Sequence, residues 1–356
     1  MKIALISATK PELGTGDKVT EYTYQLYKHL SRYKDNRVDM IYALGETRRL
    51  NTIGLIYTNT IFRNRIPGLI KENYDVIHVT NHEVGFAAKI LRNGGERCTI
   101  VTTLHDTMRM RNDLHRGIRQ KMYNNLTTLN IRNALETSDL MIFDDDETKR
   151  EVSALHEIKK YAIIPLGVKD PLIKEPIKRR VAKRKFVIGY MGSLLPNKNL
   201  MLILKAANLL KRDSNYKFEI YGRGVELDNL MAYKSSNLLD NVEFRGFAPE
   251  QKLVEVYDSF DAFVFPALGE TFTLSILEAF ARGLPVIIDA RAKYVDVIKR
   301  YCAEAKDEHD LVAKIKMLRE GRDPKIIKEE MNYARSLTWE RTVKETFDAY
   351  KKLVEK

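Results

Sequence analysis

The sequence predicts an α/β protein of two halves, each a mostly parallel sheet with helices on both faces. Three observations lead there. Short runs rich in β-branched and aromatic residues alternate with longer segments of helical spacing along the whole chain. That alternation breaks once, at a Pro- and Lys/Arg-rich passage from Lys169 to Lys185, and then restarts. At 356 residues the chain also exceeds what one hydrophobic core comfortably serves. Two such halves facing each other leave a cleft between them.

Taken in order, Lys2-Ile3-Ala4-Leu5-Ile6 reads as a buried strand, followed by a small-residue loop around Gly14-Thr15-Gly16 and a helix from Lys18 to Arg32. Val38 to Ala43, Val76 to Val79, Thr99 to Leu104 and Leu140 to Phe143 are further short β-rich runs. Glu83 to Leu91 and Ile118 to Glu136 have helical spacing. Pro171, Pro176 and the run Lys178-Arg179-Arg180 make the next passage poor core material and a good interdomain linker. Strand Phe186 to Met191, helix Leu200 to Lys211 and strands Lys217 to Tyr221, Val242 to Phe244, Ala262 to Phe265 and Pro285 to Ile288 build the second half. From about Pro324 the tail is helical, with Trp339, Val343, Phe347, Tyr350 and Leu353 at helix-compatible spacing. The expected division is residues 1–170, 171–335 and a closing helical segment 336–356.

Composition narrows the function. Hydrophobic residues at 44% and charged residues at 30% describe a globular protein. No stretch approaches the ~20 apolar residues of a membrane-spanning helix, and Met1 to Ile6 is too short for a signal peptide, so a cytoplasmic location is expected. Cys98 and Cys302 have no neighbouring thiol, and the seven histidines form no zinc-binding spacing; no metal site is expected. The net charge of +12 favours anionic partners without choosing among nucleotide, lipid phosphate, membrane surface and nucleic acid.

The most informative stretch runs from Phe265 to Ile287. Glu270 falls where an apolar strand ends, after Pro266 and Gly269, and Glu278 lies more than a turn into a helix from about Thr273 to Ala281. Eight residues on a helix return to within ~80° of the same face, so a loop carboxylate and a helix carboxylate can line one groove. Gly283-Leu284-Pro285 stops the helix and Val286-Ile287-Ile288 starts a buried strand. Ligands of open parallel sheets bind beyond the carboxyl ends of strands, which is where Glu270 stands.

This strand, loop, carboxylate, helix, carboxylate, strand pattern resembles the donor-site signature of the retaining family 4 glycosyltransferases. The resemblance implies the GT-B fold: two Rossmann-like domains facing each other across a cleft, with a C-terminal helix crossing back to the first domain. It also implies that Glu270 faces the sugar of a nucleotide-sugar donor and Glu278 the ribose, whose vicinal hydroxyls suit an acceptor-only carboxylate. The plainer reading makes Glu278 an exposed helix residue and Glu270 a helix-start preference.

Gly192-Ser193-Leu194-Leu195-Pro196-Asn197-Lys198-Asn199 follows a strand and precedes a helix, so its backbone N–H groups and Lys198 could hold a diphosphate. The family usually carries an Arg directly after this Gly; here Ser193 stands there, leaving one cation fewer. Arg223 or Arg245 are the candidates to compensate. Gly222-Arg223-Gly224 resembles the family's short glycine turn beneath the nucleotide, and Val242 to Phe247 the strand that holds the base, though each by itself is an ordinary turn or strand. The donor set implied is Gly192, Ser193, Lys198, Arg223, Glu270, Thr271, Phe272, Thr273 and Glu278.

In the first half, Gly14-Thr15-Gly16 resembles the family's glycine-rich first loop and suits close backbone approach to phosphate or sugar oxygens. Thr102-Thr103-Leu104-His105-Asp106 resembles its His-Asp pair. His105 would hydrogen-bond the transferred sugar, and Asp106 would orient the imidazole. Basic and apolar side chains from Met108 to Lys121 suit a lipid-linked or phosphorylated acceptor and peripheral membrane contact, or a solvated basic face. Asp144-Asp145-Asp146 reads as a helix N-cap with an acidic first turn.

The expectation is a metal-independent retaining glycosyltransferase with Glu270, His105 and Lys198 as catalytic groups. It would take a UDP- or GDP-linked sugar as co-substrate, need no cofactor, and use a glycan, lipid-linked or protein acceptor. The Glu270, Glu278 and Lys198 spacing disfavours a same-fold epimerase. A basic nucleic-acid-binding protein would explain the charge, but no zinc-finger, helix-turn-helix or RNA-binding aromatic motif is present and specific nucleic-acid binding is not expected. A catalytically inactive sugar-nucleotide-binding module is the third reading, which Ser193 keeps open.

Overall fold

A computed structural model of the chain describes residues 1–10, 18–44, 60, 64, 66–69, 73–95, 98–105, 118–154, 156–175, 177, 185–268 and 273–355. Two compact units form: Met1–Leu166 together with Trp339–Lys356, and Gly167–Thr338.

The first unit is a parallel six-stranded sheet ordered β2-β1-β3-β4-β5-β6. Its strands are β1 (Lys2–Thr9), β2 (Arg37–Leu44), β3 (Val76–Val79), β4 (Thr99–Leu104), β5 (Leu140–Phe143) and β6 (Tyr161–Ile163). Helices α1 (Lys18–Leu30), α2 (Phe86–Asn93), α3 (Ile118–Thr137) and α4 (Asp146–Ser153) connect them. Ile3, Ala4, Leu5 and Ile6 are all fully buried. A strand covered on both faces reads as a continuous apolar run rather than an alternation, which is what a parallel sheet between two helix layers requires.

The second unit repeats the plan with order β12-β11-β10-β7-β8-β9. It contains β7 (Phe186–Met191), β8 (Tyr216–Tyr221), β9 (Val242–Gly246), β10 (Ala262–Phe265), β11 (Val286–Asp289) and β12 (Ala303–Ala305). Its helices are α5 (Asp170–Lys174), α6 (Leu200–Leu209), α7 (Leu227–Ser236), α8 (Leu253–Ser259), α9 (Leu274–Ala281), α10 (Asp296–Tyr301), α11 (Glu308–Glu320) and α12 (Pro324–Ser336). Helix α9 stops as its sequence suggests. Gly283 takes φ 66°, its N–H reaches Phe280 O at 2.8 Å, and the Leu284 N–H reaches back to Ala279 O at 3.0 Å. A left-handed residue closing the last turn this way is the common role of glycine after a helix.

The last helix, α13 (Trp339–Val354), packs in the first unit. Trp339, Thr342, Val343, Thr346 and Tyr350 are its buried face, and the Thr342 hydroxyl donates to Pro165 O at 2.7 Å. Phe347 lies at the margin, stacked on Tyr33 with centroids 4.7 Å apart. Among the described residues no helix is long and apolar enough to cross a membrane.

Candidate functional site

In the second unit the chain runs from β7 outward through β8 and β9, then returns to place β10 on the other side of β7. The reversal between β7 and β10 is where an open α/β sheet forms its ligand crevice. The ladders show the strands parting there. β10 pairs with β7 only at Ala262↔Ile188 and Phe263↔Gly189, whereas the β7–β8 ladder continues to Met191↔Tyr221. Beyond the last β10 pair, Tyr190 and Phe265 stack with centroids 5.7 Å apart. Buried Lys198 holds its Nζ 5.1 Å from the centre of the Phe265 ring. The Leu268 N–H donates to Asn197 O at 2.9 Å, tying the loop after β10 to the loop after β7.

The glycines of this site follow from backbone contact. The Gly192 N–H donates to Tyr221 O at 3.1 Å and the Leu194 N–H to Arg223 O at 2.9 Å, so the two loops continue the β7–β8 register past the strand ends. A Cβ on Gly222, whose φ is +149°, would lie 1.8 Å from Gly192 O; one on Gly224 would lie 2.0 Å from Leu194 O. No side chain fits between backbones this close. This zipping between the loops and the turn that follows together spend amides that the sequence offered to a diphosphate. Those of Gly192, Leu194, Lys198 and Asn199 donate to main-chain oxygens, and Pro196 has none. The loop is thus a braced wall.

Glu278 lies on α9, 7% exposed, and accepts the Tyr257 hydroxyl at 2.7 Å. Burial, and then the adjacent carboxylate, hold the Tyr257 phenol far above its usual range, so it donates throughout the physiological pH range. The Tyr257, Phe263, Phe265 and Tyr190 rings form one contiguous series with centroid separations of 5.8, 6.1 and 5.7 Å. Lys198 and Glu278 therefore border the same aromatic cluster. Thr273, the α9 N-cap residue, is buried. Glu270, Thr271 and Phe272 lie outside the described residues.

Of the two arginines proposed to replace the cation missing at Ser193, Arg245 is spent. Its guanidinium pairs with Glu243 at 2.5 Å and Glu219 at 3.1 Å, and Lys217 bridges the same carboxylates. Exposed Arg223 rests on the Phe247 ring at 5.4 Å. A cavity of about 270 Å³ adjoins, lined by Tyr221, Arg245, Phe247, Pro249 and Lys252 among others.

In the first unit, His105 follows β4 and is 1% exposed. Its Nδ1 lies 2.9 Å from both oxygens of Asp144, and its Nε2 lies 3.0 Å from Thr80 O. Both nitrogens thus face hydrogen-bond acceptors. Lys18 closes the group, with its Nζ 2.6 Å from His105 O and 3.2 Å from Asp144 Oδ2. The acidic run divides its labour. Asp145 caps α4, accepting from the Thr148 N–H at 2.8 Å, while buried Asp144 turns to the imidazole. Burial raises the Asp145 carboxyl above the usual range. The sequence reading gave the whole run Asp144-Asp145-Asp146 to the helix start, which holds for Asp145 and Asp146, and gave the orienting role to Asp106. Asp106, with Gly14, Thr15 and Gly16, lies outside the described residues.

Sequence reasoning missed Lys18, Thr80 and Asp144. The sheet order β3-β4-β5 explains their meeting, because Thr80, His105 and Asp144 each follow the carboxyl end of one of three neighbouring strands. It also missed His78 on β3, whose Nδ1 meets the Tyr350 hydroxyl of α13 and whose Nε2 lies 2.7 Å from Thr103 Oγ1. Burial, and then the neighbouring His105, lowers His78 to about 3.

Residues 19–170 match the family model described as Glycosyltransferase Family 4, and residues 173–336 match the one described as Glycosyl transferases group 1. The chain belongs to the family 4 type of GT-B glycosyltransferases. Among its relatives, the O-antigen chain mannosyltransferase B of Escherichia coli is 23% identical over 240 residues, covering 63% of each chain. An Escherichia coli UDP-Gal:alpha-D-GlcNAc-diphosphoundecaprenol alpha-1,3-galactosyltransferase is 28% identical over 62% of this chain and 59% of its own. The matches thus span less than two thirds of those relatives. Sucrose-phosphate synthase from Thermosynechococcus elongatus superposes with TM-score 0.81 at 18% identity, over 99% of this chain and 98% of that one. Anabaena HepE in complex with UDP and glucose superposes with TM-score 0.75 at 14% identity, over 99% and 100% of the two chains. These two establish the shared GT-B fold.

Proposed function

We propose that this glycosyltransferase transfers a sugar, with retention, from a UDP- or GDP-linked donor to an acceptor hydroxyl, without a metal ion. The observation that carries the reading is that Lys198 and Glu278 border one series of aromatic rings at the β7/β10 reversal. Lys198 would neutralise the departing diphosphate, and Glu278, held by Tyr257, would accept from the ribose hydroxyls. Glu270 would face the sugar. As the bond from the anomeric carbon to phosphate oxygen breaks, the acceptor oxygen takes its place and its proton passes to the leaving phosphate. A glycan or lipid-linked acceptor accords with the names of the two Escherichia coli relatives.

The test is a binding and turnover series. UDP or GDP should raise the melting temperature, as any ligand of the native state does. Glu278→Ala should weaken that nucleotide by about 1 to 3 kcal/mol, the scale of a hydrogen bond to a charged group. Glu270→Ala should abolish transfer with nucleotide affinity retained, and EDTA should leave turnover unchanged. Equal nucleotide affinity in Glu278→Ala would remove it from the ribose, and loss of turnover in EDTA would overturn metal independence.

A further inference from the structure

We propose that Arg223 is the second cation of the diphosphate site, parked on Phe247 until an anion draws it across. The inference rests on the donor reading above and assigns the charge that Ser193 does not supply. Its first support is register. The β7–β8 ladder ends with Met191 beside Tyr221, and the bonds from Gly192 to Tyr221 and from Leu194 to Arg223 carry the same offset onward. That offset sets Ser193 directly beside Arg223, and neighbouring strands lie only about 4.8 Å apart. The cation is displaced by one strand.

The second support is the disposition of charge. Arg245 already has two carboxylate partners, Glu219 and Glu243. Arg223 forms no ion pair among the described residues; its contact is the Phe247 ring, 5.4 Å from the guanidinium carbon. An exposed cation–π contact is weaker than a forked, charge-assisted contact to phosphate. A diphosphate therefore outcompetes the ring. The guanidinium plane serves both states, because it can lie flat on an aromatic face and also present a fork of N–H donors. The turn beneath it does not move with the side chain, since Gly222 and Gly224 are braced against Gly192 and Leu194. Only the exposed side chain swings.

The experiment compares wild-type protein with R223M, R223K, F247A and K198M, each titrated with UDP, UMP, GDP and GMP. R223M should weaken the preferred nucleoside diphosphate at least tenfold and change the matching monophosphate less than threefold. R223K, which keeps the charge without the fork, should fall between. F247A should bind the diphosphate about two- to fivefold more tightly, because the parking contact no longer competes. R223M binding the diphosphate as wild type does, while K198M loses it, would overturn the role of Arg223 and leave the donor reading standing. F247A weakening the diphosphate as R223M does would make Phe247 a ligand contact and overturn the parking. Failure of all four nucleotides to bind wild type would overturn both readings together.

Discussion

Replacing Gly224 with alanine tests the braced loops most directly. The added Cβ would sit 2.0 Å from Leu194 O, 2.5 Å from its carbonyl carbon and 2.8 Å from its nitrogen, all backbone atoms with no rotamer to yield. Ordinary contact begins near 3.4 Å, so the loops must separate by more than 1 Å. Two hydrogen bonds cross that gap: the Leu194 N–H to Arg223 O at 2.9 Å and the Glu226 N–H to Leu194 O at 3.1 Å. At about 0.5 to 1.5 kcal/mol each, their loss is worth about 1 to 3 kcal/mol of local stability. That is about 5- to 150-fold faster hydrogen exchange at the Leu194 and Glu226 amides. Exchange read peptide by peptide is the right assay, since a two-unit chain need not unfold in one step. Gly246→Ala is the control. Its φ of +69° strains an alanine backbone, but nothing lies within 4 Å of the new Cβ, so the Leu194 amide should keep its protection. Equal protection of that amide in wild type and Gly224→Ala would refute the bracing.

Two further predictions concern pH and run in opposite directions in the two units. His78 stays neutral in the fold down to about 3, against an ordinary value near 6.5, so its stabilising contribution is complete above pH 6.5 and is lost as pH falls. At pH 5 the loss is about 2 kcal/mol, and His78→Gln should remove that part of the acid limb in the first unit. Glu330, fully buried and paired with Arg322 at 2.6 Å, is raised by burial to about 7. Its contribution is complete below pH 4.5 and is lost as pH rises to 7, about 3 kcal/mol in all; Glu330→Gln should flatten the slope in the second unit over that window. Unit-resolved hydrogen exchange between pH 4 and 8 checks both, and parallel slopes for variant and parent would refute either.

Much of the fold was legible because its strands are buried on both faces. β3, β4, β5, β7 and β10 begin and end where their β-rich runs do, since a central parallel strand demands a composition of that kind. The strands that escaped notice are sheet edges. β6 (Tyr161–Ile163) and β12 (Ala303–Ala305) are three residues each with few buried positions, and three residues carry no period to detect. The tail from about Pro324, read as helical, is two helices, α12 and α13, divided near Leu337-Thr338. Those residues instead join the backbone of Val168, whose N–H meets Leu337 O at 2.7 Å.

The site divides along a similar line. The placement of Lys198, Glu278 and the Gly-x-Gly turn in the fold was legible because each is fixed by its own short neighbourhood: a loop after a strand, a helix position, two backbones in contact. The groups around His105 were not, because the imidazole is held by the ends of β3, β4 and β5 and by Lys18 of α1. Strand order, which no local window contains, brings them together. Once that order is known the argument reverses. A carboxylate directly after β5 can turn to the N-terminus of α4 or to the ends of the neighbouring strands, β4 and β6. Asp145 already accepts the Thr148 N–H and hydroxyl, so Asp144 is left the interior. A buried carboxylate persists there only if it is paired, and His105 and Lys18 supply the pairing.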